Sequence, residues 1–334
     1  MDETKTKEQL EMELWRDGNR QAFLWNLLKN HKIESPNSHQ DEITLQDYWR
    51  YNVNTKSSRN DQQLIIAGEV EKDLNGNLWH IVHMPPILSN GEKTWKADLK
   101  NPKWKLIENL ITQRISDTQS KGSDFSITGG DRRAQLQGTI LRSAFFRRPG
   151  AKVEFHIRAD HSVILGPANF SRAIFSSITD FKNAFFIKSA NFHHATFKGE
   201  IRLNDAQFLD EVNFSKVKLF NHADFQRTKF FKTTYFDEAN FLSSANFNNA
   251  FFLDFVSFNS AKFNAYATFL NAKFKNSSQF NKVIFSGNFT TFKDTNFYGS
   301  TVFSEASFIL VADFRDTIFY NSAVFEAVKF NKEA

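Results

Sequence analysis

The stretch "ANFNNAFFLDF" (residues 245–255) places phenylalanine at 247 and 252, and "VSFNSAKFNAY" (256–266) repeats the arrangement with Phe258 and Phe263. Phenylalanine thus recurs alternately every five and every six residues, each time two places after a small residue. Neither the 3.6-residue period of a helix nor the plain alternation of a strand produces that spacing. Counted in elevens from residue 168, the chain gives ANFSRAIFSSI, TDFKNAFFIKS, ANFHHATFKGE and so on to AVFEAVKFNKE. Fifteen units fit once Phe289 is taken as a single inserted residue. At unit positions three and eight, 28 of 30 residues are Phe, the exceptions being Leu203 and Leu219, and positions one and six hold only Ala, Val, Thr, Ser or Ile.

Self-similarity at a short fixed period marks a solenoid, whose units touch only their neighbours. Along an extended segment, side chains alternate, so the small residue and the Phe two places later both point inward. The remaining positions face outward or turn a corner, which accounts for the Asn, Asp, Lys and Ser found there. Eleven residues form two short sides, and two sides cannot enclose aromatic rings. Two units, about 22 residues, therefore make one four-sided coil, and successive coils at ~4.8 Å stack like residues above one another.

This pattern resembles the pentapeptide-repeat proteins, in their Phe-rich variety with alternating five- and six-residue spacing, over residues 168–333. The resemblance implies a right-handed quadrilateral β-helix and no activity. Some members resemble a DNA duplex in shape and charge and bind topoisomerases of the gyrase type. That mimicry needs an acidic rod, and here residues 168–334 carry 18 Lys and Arg against 15 Asp and Glu.

The rest of the chain is of another kind. All six Trp precede residue 105, whereas 34 of the 39 Phe follow residue 167, so the 334 residues divide into two architectures. "TKEQLEMELWRDGNRQAFLWNLLKNH" reads as a helix whose apolar side is Leu10, Leu14, Phe23, Leu24, Leu27 and Leu28. "QLIIAGEVEKDLNGNLWHIVHMPPIL" reads as a β-hairpin turning at Asn75-Gly76, and "PKWKLIENLITQRI" as a helix opening with Pro102. A small α+β domain is expected over 1–120. Residues 121–167 then form degenerate repeats and an N-terminal cap, in which Phe125, Leu136 and Leu141 keep the register and "KVEFHIRADHSVIL" alternates like an edge strand. The fold class is mainly β, a β-helical solenoid at 168–334 with this small α+β domain in front.

The composition excludes several function classes. There is no cysteine, hence no disulfide or thiolate chemistry. No run approaches the ~20 apolar residues of a membrane span, and a cytoplasmic protein is expected. His80 and His83, three apart on a strand, face opposite sides, and "SITGGDRR" lacks the lysine and spacing of a phosphate-binding loop. No catalytic constellation or metal signature stands out, so neither enzymatic activity nor a cofactor is expected.

Three surfaces remain. Unit position nine in alternate units reads Ile187, Leu209, Phe231, Leu253, Lys275, Tyr298, Tyr320, an apolar outward stripe suited to a protein partner. Arg132, Arg133, Arg142, Arg147 and Arg148 gather at the junction and suit an anion or nucleic acid. The final coil, with Phe325 and Phe330, presents an open end on which a second copy would close about a two-fold axis into a homodimer. The leading expectation is a non-enzymatic protein-interaction scaffold. The alternative is a nucleic-acid or topoisomerase modulator acting through the basic junction.

Overall fold

The computed structural model describes residues 70–72, 78–82, 84, 86, 92–109, 111, 133–136, 138–143 and 150–331. The chain divides into two compact units, Met1–Ile115 with Gln137–Arg142, and Ser116–Leu136 with Ser143–Ala334.

The larger unit is a parallel β-solenoid of about eight turns. Each coil contributes one short strand to each of four faces. The first face includes Thr179–Asp180, Ile201–Arg202 and Ala223–Asp224, and the second Phe185–Phe186, Gln207–Phe208 and Lys229–Phe230. On the third lie Ala190–Asn191 and Val212–Asn213, and on the fourth Thr196–Phe197 and Lys218–Leu219. Partners are 23 residues apart in the first pairing, Arg133↔His156, and 22 apart thereafter, as in Ala223↔Ala245 and Phe230↔Phe252, until Ala267↔Thr290 makes the step 23 again. The extra residue is absorbed where the fourth face turns into the first. There the strand lengthens to Phe289–Thr291 and pairs with Val311–Asp313.

Positions one, three, six and eight face inward as the alternation requires. Phe247, Phe258, Phe263 and Phe252 are 0–1% exposed, and Leu203 and Leu219 replace Phe without opening the core. The rings form four stacked columns, exemplified by Phe225–Phe247 at 4.6 Å, Phe236–Phe258 at 4.7 Å, Phe241–Phe263 at 4.5 Å and Phe252–Phe274 at 4.8 Å. Columns meet edge to face: Phe247 and Phe258 lie 5.6 Å apart at 87°. Stacking along the axis and edge contacts across it are both favoured by the ring quadrupole. Where threonine replaces the small inward alanine, its hydroxyl donates to a carbonyl, as Thr228 does to Leu203 at 2.8 Å and Thr295 to Phe269 at 2.7 Å. No buried hydroxyl is left unpaired at these two places.

The polar residues at position two do more than face water. Asn169, Asp180, Asn191, Asn213, Asp224, Asn246 and Asp313 each accept a hydrogen bond from the backbone N–H two residues on. These are Asx-turns, and Thr291 makes the hydroxyl equivalent with Lys293. They lead into a residue at position five with φ of 53–61°, from His161 to Ala327, none of them glycine. Left-handed backbone costs an ordinary residue roughly 1–2 kcal/mol, least for Asn and Asp. The turn side chain and the coil-to-coil ladder hold it there.

Coil strands precede residue 168, within the segment expected to hold degenerate repeats. "KVEFHIRADHSVIL" is not one edge strand. It breaks into Lys152–Val153, His156–Arg158 and Val163–Ile164, which pair with strands of three different faces. The positive φ at His161 turns the chain between the second and third of these strands. Leu136, expected to keep the register, is buried, whereas Phe125 lies outside the described residues.

In the smaller unit, Val70–Lys72 and Leu78–His80 pair antiparallel as a hairpin does, with Val70↔His80 and Lys72↔Leu78, a register centred on residue 75, one half-step from that of a two-residue Asn75-Gly76 turn. The turn itself, and the helix expected over the first 30 residues, lie outside the described residues. Residues 104–109 are helical, and Trp104, Ile107 and Ile111 are its buried side. Asn101 accepts from the Lys103 N–H at 3.0 Å at the start of this helix. Lys96 is fully buried beside Trp95 and Trp104, with its Nζ 3.4 Å from the Ile140 carbonyl.

Burial holds the Lys96 amine well below its ordinary value of 10.5. The unfolded chain therefore binds a proton that the folded unit releases. Stability rises with pH across the window below 10.5 and falls as the pH drops toward the folded value. Lys96→Met is expected to flatten this dependence and raise the unfolding temperature at neutral pH. Near-UV circular dichroism on heating, repeated between pH 6 and 10, checks it; an unchanged pH profile refutes the assignment.

Candidate interaction surfaces

The residues of the apolar stripe follow one another up the second face. Their backbone N–H groups bond coil to coil, Leu209 to Phe186, Phe231 to Phe208, Leu253 to Phe230, Tyr298 to Phe274 and Tyr320 to Phe297. The stripe divides in two. Ile187, Leu209 and Phe231, expected to face solvent, are instead buried at 5, 5 and 9% exposure, as is Phe185. They form an unbroken apolar run in which each side chain has another above or below it. In the same zone Lys229, on the strand before Phe231, has its amine pushed down by burial, and Gln207 Oε1 is buried.

Beyond Leu253 the run is interrupted by Lys275, and the surface opens. Leu253 is 42% and Tyr320 57% exposed, with Ile318 also exposed. Tyr298 and Tyr320 stack at 4.7 Å and 5°, and Lys275 Nζ sits 3.5 Å from the Tyr298 ring centroid. The cation over a ring face holds the lysine along the stripe.

A second apolar surface was not read from the sequence. Phe220, Leu242 and Ile309 occupy position nine of the other units, on the fourth face, and all three are exposed. Tyr266 stacks on Phe289 at 5.8 Å and 11°, and Phe289 pairs with Val311. The signal was present at position nine, but the polar Asn264 and Ser286 dilute it, and the Phe289 insertion hides the alignment of Tyr266 with Val311.

The basic junction is only partly described. Arg142 donates to Glu108 and to the Leu99 carbonyl, so its guanidinium is engaged within the smaller unit. Arg132, Arg147 and Arg148, and the side chain of Arg133, lie outside the described residues. At the far end, Phe325 and Phe330 are 40 and 44% exposed, against 0 and 1% for Phe303 and Phe308 one coil below.

Charged groups also form ladders on the first face. Arg202 donates to Glu200 at 2.9 Å and lies 3.6 Å from Asp180, itself paired in register with Arg158 and Arg202. Burial, with Asp160 nearby, raises the Asp180 carboxyl above its ordinary value. Arg315 holds Asp313 at about 2 through a double hydrogen bond. Among the described residues no group of three His, Cys, Asp or Glu is placed to hold a metal ion. Among them, too, no helix is long and apolar enough to cross a membrane.

A four-sided parallel solenoid with a phenylalanine core, Asx-turns at position two and small residues at positions one and six defines a class of repeat protein. Residues 159–207 match the profile of the pentapeptide repeats (nine copies). The register of small residue, polar residue and Phe in that segment continues to residue 330, shifted once by the inserted Phe289. Neither curated proteins nor solved structures gave a match.

Proposed function

We propose that the protein is a non-enzymatic interaction scaffold whose rod presents the exposed part of the second-face stripe to a protein partner. The observation that carries this reading is the exposed set Leu253, Ile318 and Tyr320, with half-buried Tyr298 stacked on Tyr320, on a regularly built face. Such patches on soluble proteins mark contact surfaces. Stacked tyrosines suit that role because they offer rigid contact area at small entropic cost. The coils beneath are held by four continuous ladders, so the surface does not rearrange on binding. The exposed rings of Phe325 and Phe330 make the last described coil a second contact surface, one that fits an identical end.

The test is Leu253→Glu combined with Tyr298→Glu in the full chain. The far-UV spectrum and unfolding midpoint should stay within ~0.5 kcal/mol of the parent, as for surface positions. Recovery of a partner that the parent retains stoichiometrically should fall at least tenfold. A variant that keeps its partner, or one that unfolds, overturns the assignment of this face.

A further inference from the structure

The residues with positive φ stack in two columns, one on each of two opposite corners, at one residue per coil. Along both columns, vertical neighbours are complementary. On the first corner His161 meets Asn183 at 2.9 Å, Arg227 meets Asp205 through two bonds of 2.6 and 2.8 Å, and Asn271 meets Asn249 at 2.7 Å. Even the like-charged pair Asp294 and Asp316 has Arg315 acting on both. On the second corner Lys216 meets Glu238 at 3.4 Å and Lys282 meets Glu305 at 3.6 Å.

One run breaks the rule. Arg172, His194 and Lys216 are consecutive on the second corner, with φ of 57, 58 and 58°. Ladder bonds from Arg172 N–H to His193 and from His194 N–H to Ser215 fix them one coil apart, a step of ~4.8 Å. Among the described residues neither Arg172 nor His194 has an acidic partner. Beside them His193 Nδ1 is buried without a hydrogen-bond partner, its ring 4.3 Å from that of His194.

The backbone does not demand these side chains. The first corner fills the same conformation with Asn183, Asp205, Asn249, Asn271, Asp294 and Asp316, the residue types that tolerate it best, whereas the second corner uses none. Arg172 and Lys216 stand two coils apart on either side of His194, and Glu238, paired with Lys216, is the acidic group beside them, so this stretch carries backbone strain and an excess of basic groups.

We infer that the Arg172–His194–Lys216 column is an anion site that takes a phosphate group. Guanidinium, imidazole and ammonium at ~4.8 Å steps are near enough for their long side chains to reach one oxyanion. Lys216 swings between Glu238 and the ligand. The groups that face His194 are His193, Lys216, Arg172 and Glu238; burial and the first three depress its imidazole below 6.5, and Glu238 opposes them. A bound dianion reverses that balance and draws a proton onto His194.

The experiment is a titration of the full chain with inorganic pyrophosphate at low ionic strength, following the imidazole resonances by NMR, with His194 assigned by its loss in His194→Gln. Pyrophosphate is expected to raise the His194 pKa by about one unit. Arg172→Glu with Lys216→Glu should abolish the shift; Arg172→Gln with Lys216→Gln, which introduces no new charge, should weaken binding at least tenfold and serves if the reversal impairs folding. A phosphoserine peptide that binds tighter than pyrophosphate places the phosphate on a polypeptide, and the reverse order places it on a free or nucleotide ligand. No shift at millimolar pyrophosphate, equal binding by both double variants, or an oligoglutamate peptide binding as tightly as pyrophosphate, overturns the assignment. None of these readouts depends on the apolar stripe, so the scaffold reading stands or falls separately.

Discussion

Replacing Phe247 with alanine is expected to cost about 3–5 kcal/mol, the range for a large aromatic truncated in a packed core. Phe247 is fully buried, stacked on Phe225 at 4.6 Å and Phe269 at 4.9 Å, with the edges of Phe236 and Phe258 at 5.5 and 5.6 Å. No neighbouring ring can move in to fill the gap, because each is fixed in its own column by the coils above and below. In a solenoid, stability is a sum over units and their interfaces, so the loss is local. Urea unfolding followed by far-UV circular dichroism should therefore show a lowered and broadened transition. Phe330→Ala is the comparison: its ring is 44% exposed and contacts one stacked neighbour, Phe308 at 5.0 Å, so its cost should be under half as large. Equal effects at the two sites would contradict a core that is closed in the middle and open at the end.

Gly287→Ala is expected to be among the most damaging small substitutions in the rod. A Cβ there would lie 2.0 Å from the Ala265 carbonyl oxygen and 2.2 Å from its carbon, so backbone must give way. Forcing one methyl group into such a place costs about 1–3 kcal/mol. The close approach is not confined to the coil with the inserted residue: Gly199, at the same place in its unit, has the Ser177 carbonyl carbon 2.3 Å from where a Cβ would stand, across an ordinary 22-residue step. Gly199→Ala should therefore cost about as much as Gly287→Ala, and deleting Phe289 should not relieve the penalty at Gly287. Thermal midpoints of the single variants and of Gly287→Ala without Phe289 test this. A penalty that disappears when Phe289 is removed would make the insertion its cause.

Much of the solenoid was legible from residue types alone. Period, inward positions, four-sided coil and the site of the extra residue all follow from where Phe and the small residues fall, because side-chain alternation and stacking of identical coils leave one arrangement that buries the rings. The antiparallel pair Val70–Lys72 and Leu78–His80 and the helix after Pro102 were readable for a different reason. Each depends on a local signal, a turn sequence between two apolar runs or a first-turn proline.

The tertiary structure decided what local pattern cannot. "KVEFHIRADHSVIL" alternates like one strand, yet it runs across three faces, because turns made by non-glycine residues in left-handed backbone have no strong sequence mark when supplied by His161. The Asn and Asp at position two read as surface residues, but their carboxyl and amide oxygens cap the turn, a role visible only once the N–H two residues on is in place. The position-nine residues share one sequence pattern, yet Ile187, Leu209 and Phe231 are buried while Leu253 and Tyr320 are exposed. Exposure belongs to the assembled surface, where the neighbours of a side chain come from 22 residues away or farther. For the same reason Arg172, His194 and Lys216 mean nothing at spacings of 22 in the sequence and become a column of basic groups, with Glu238 beside Lys216, when the coils close.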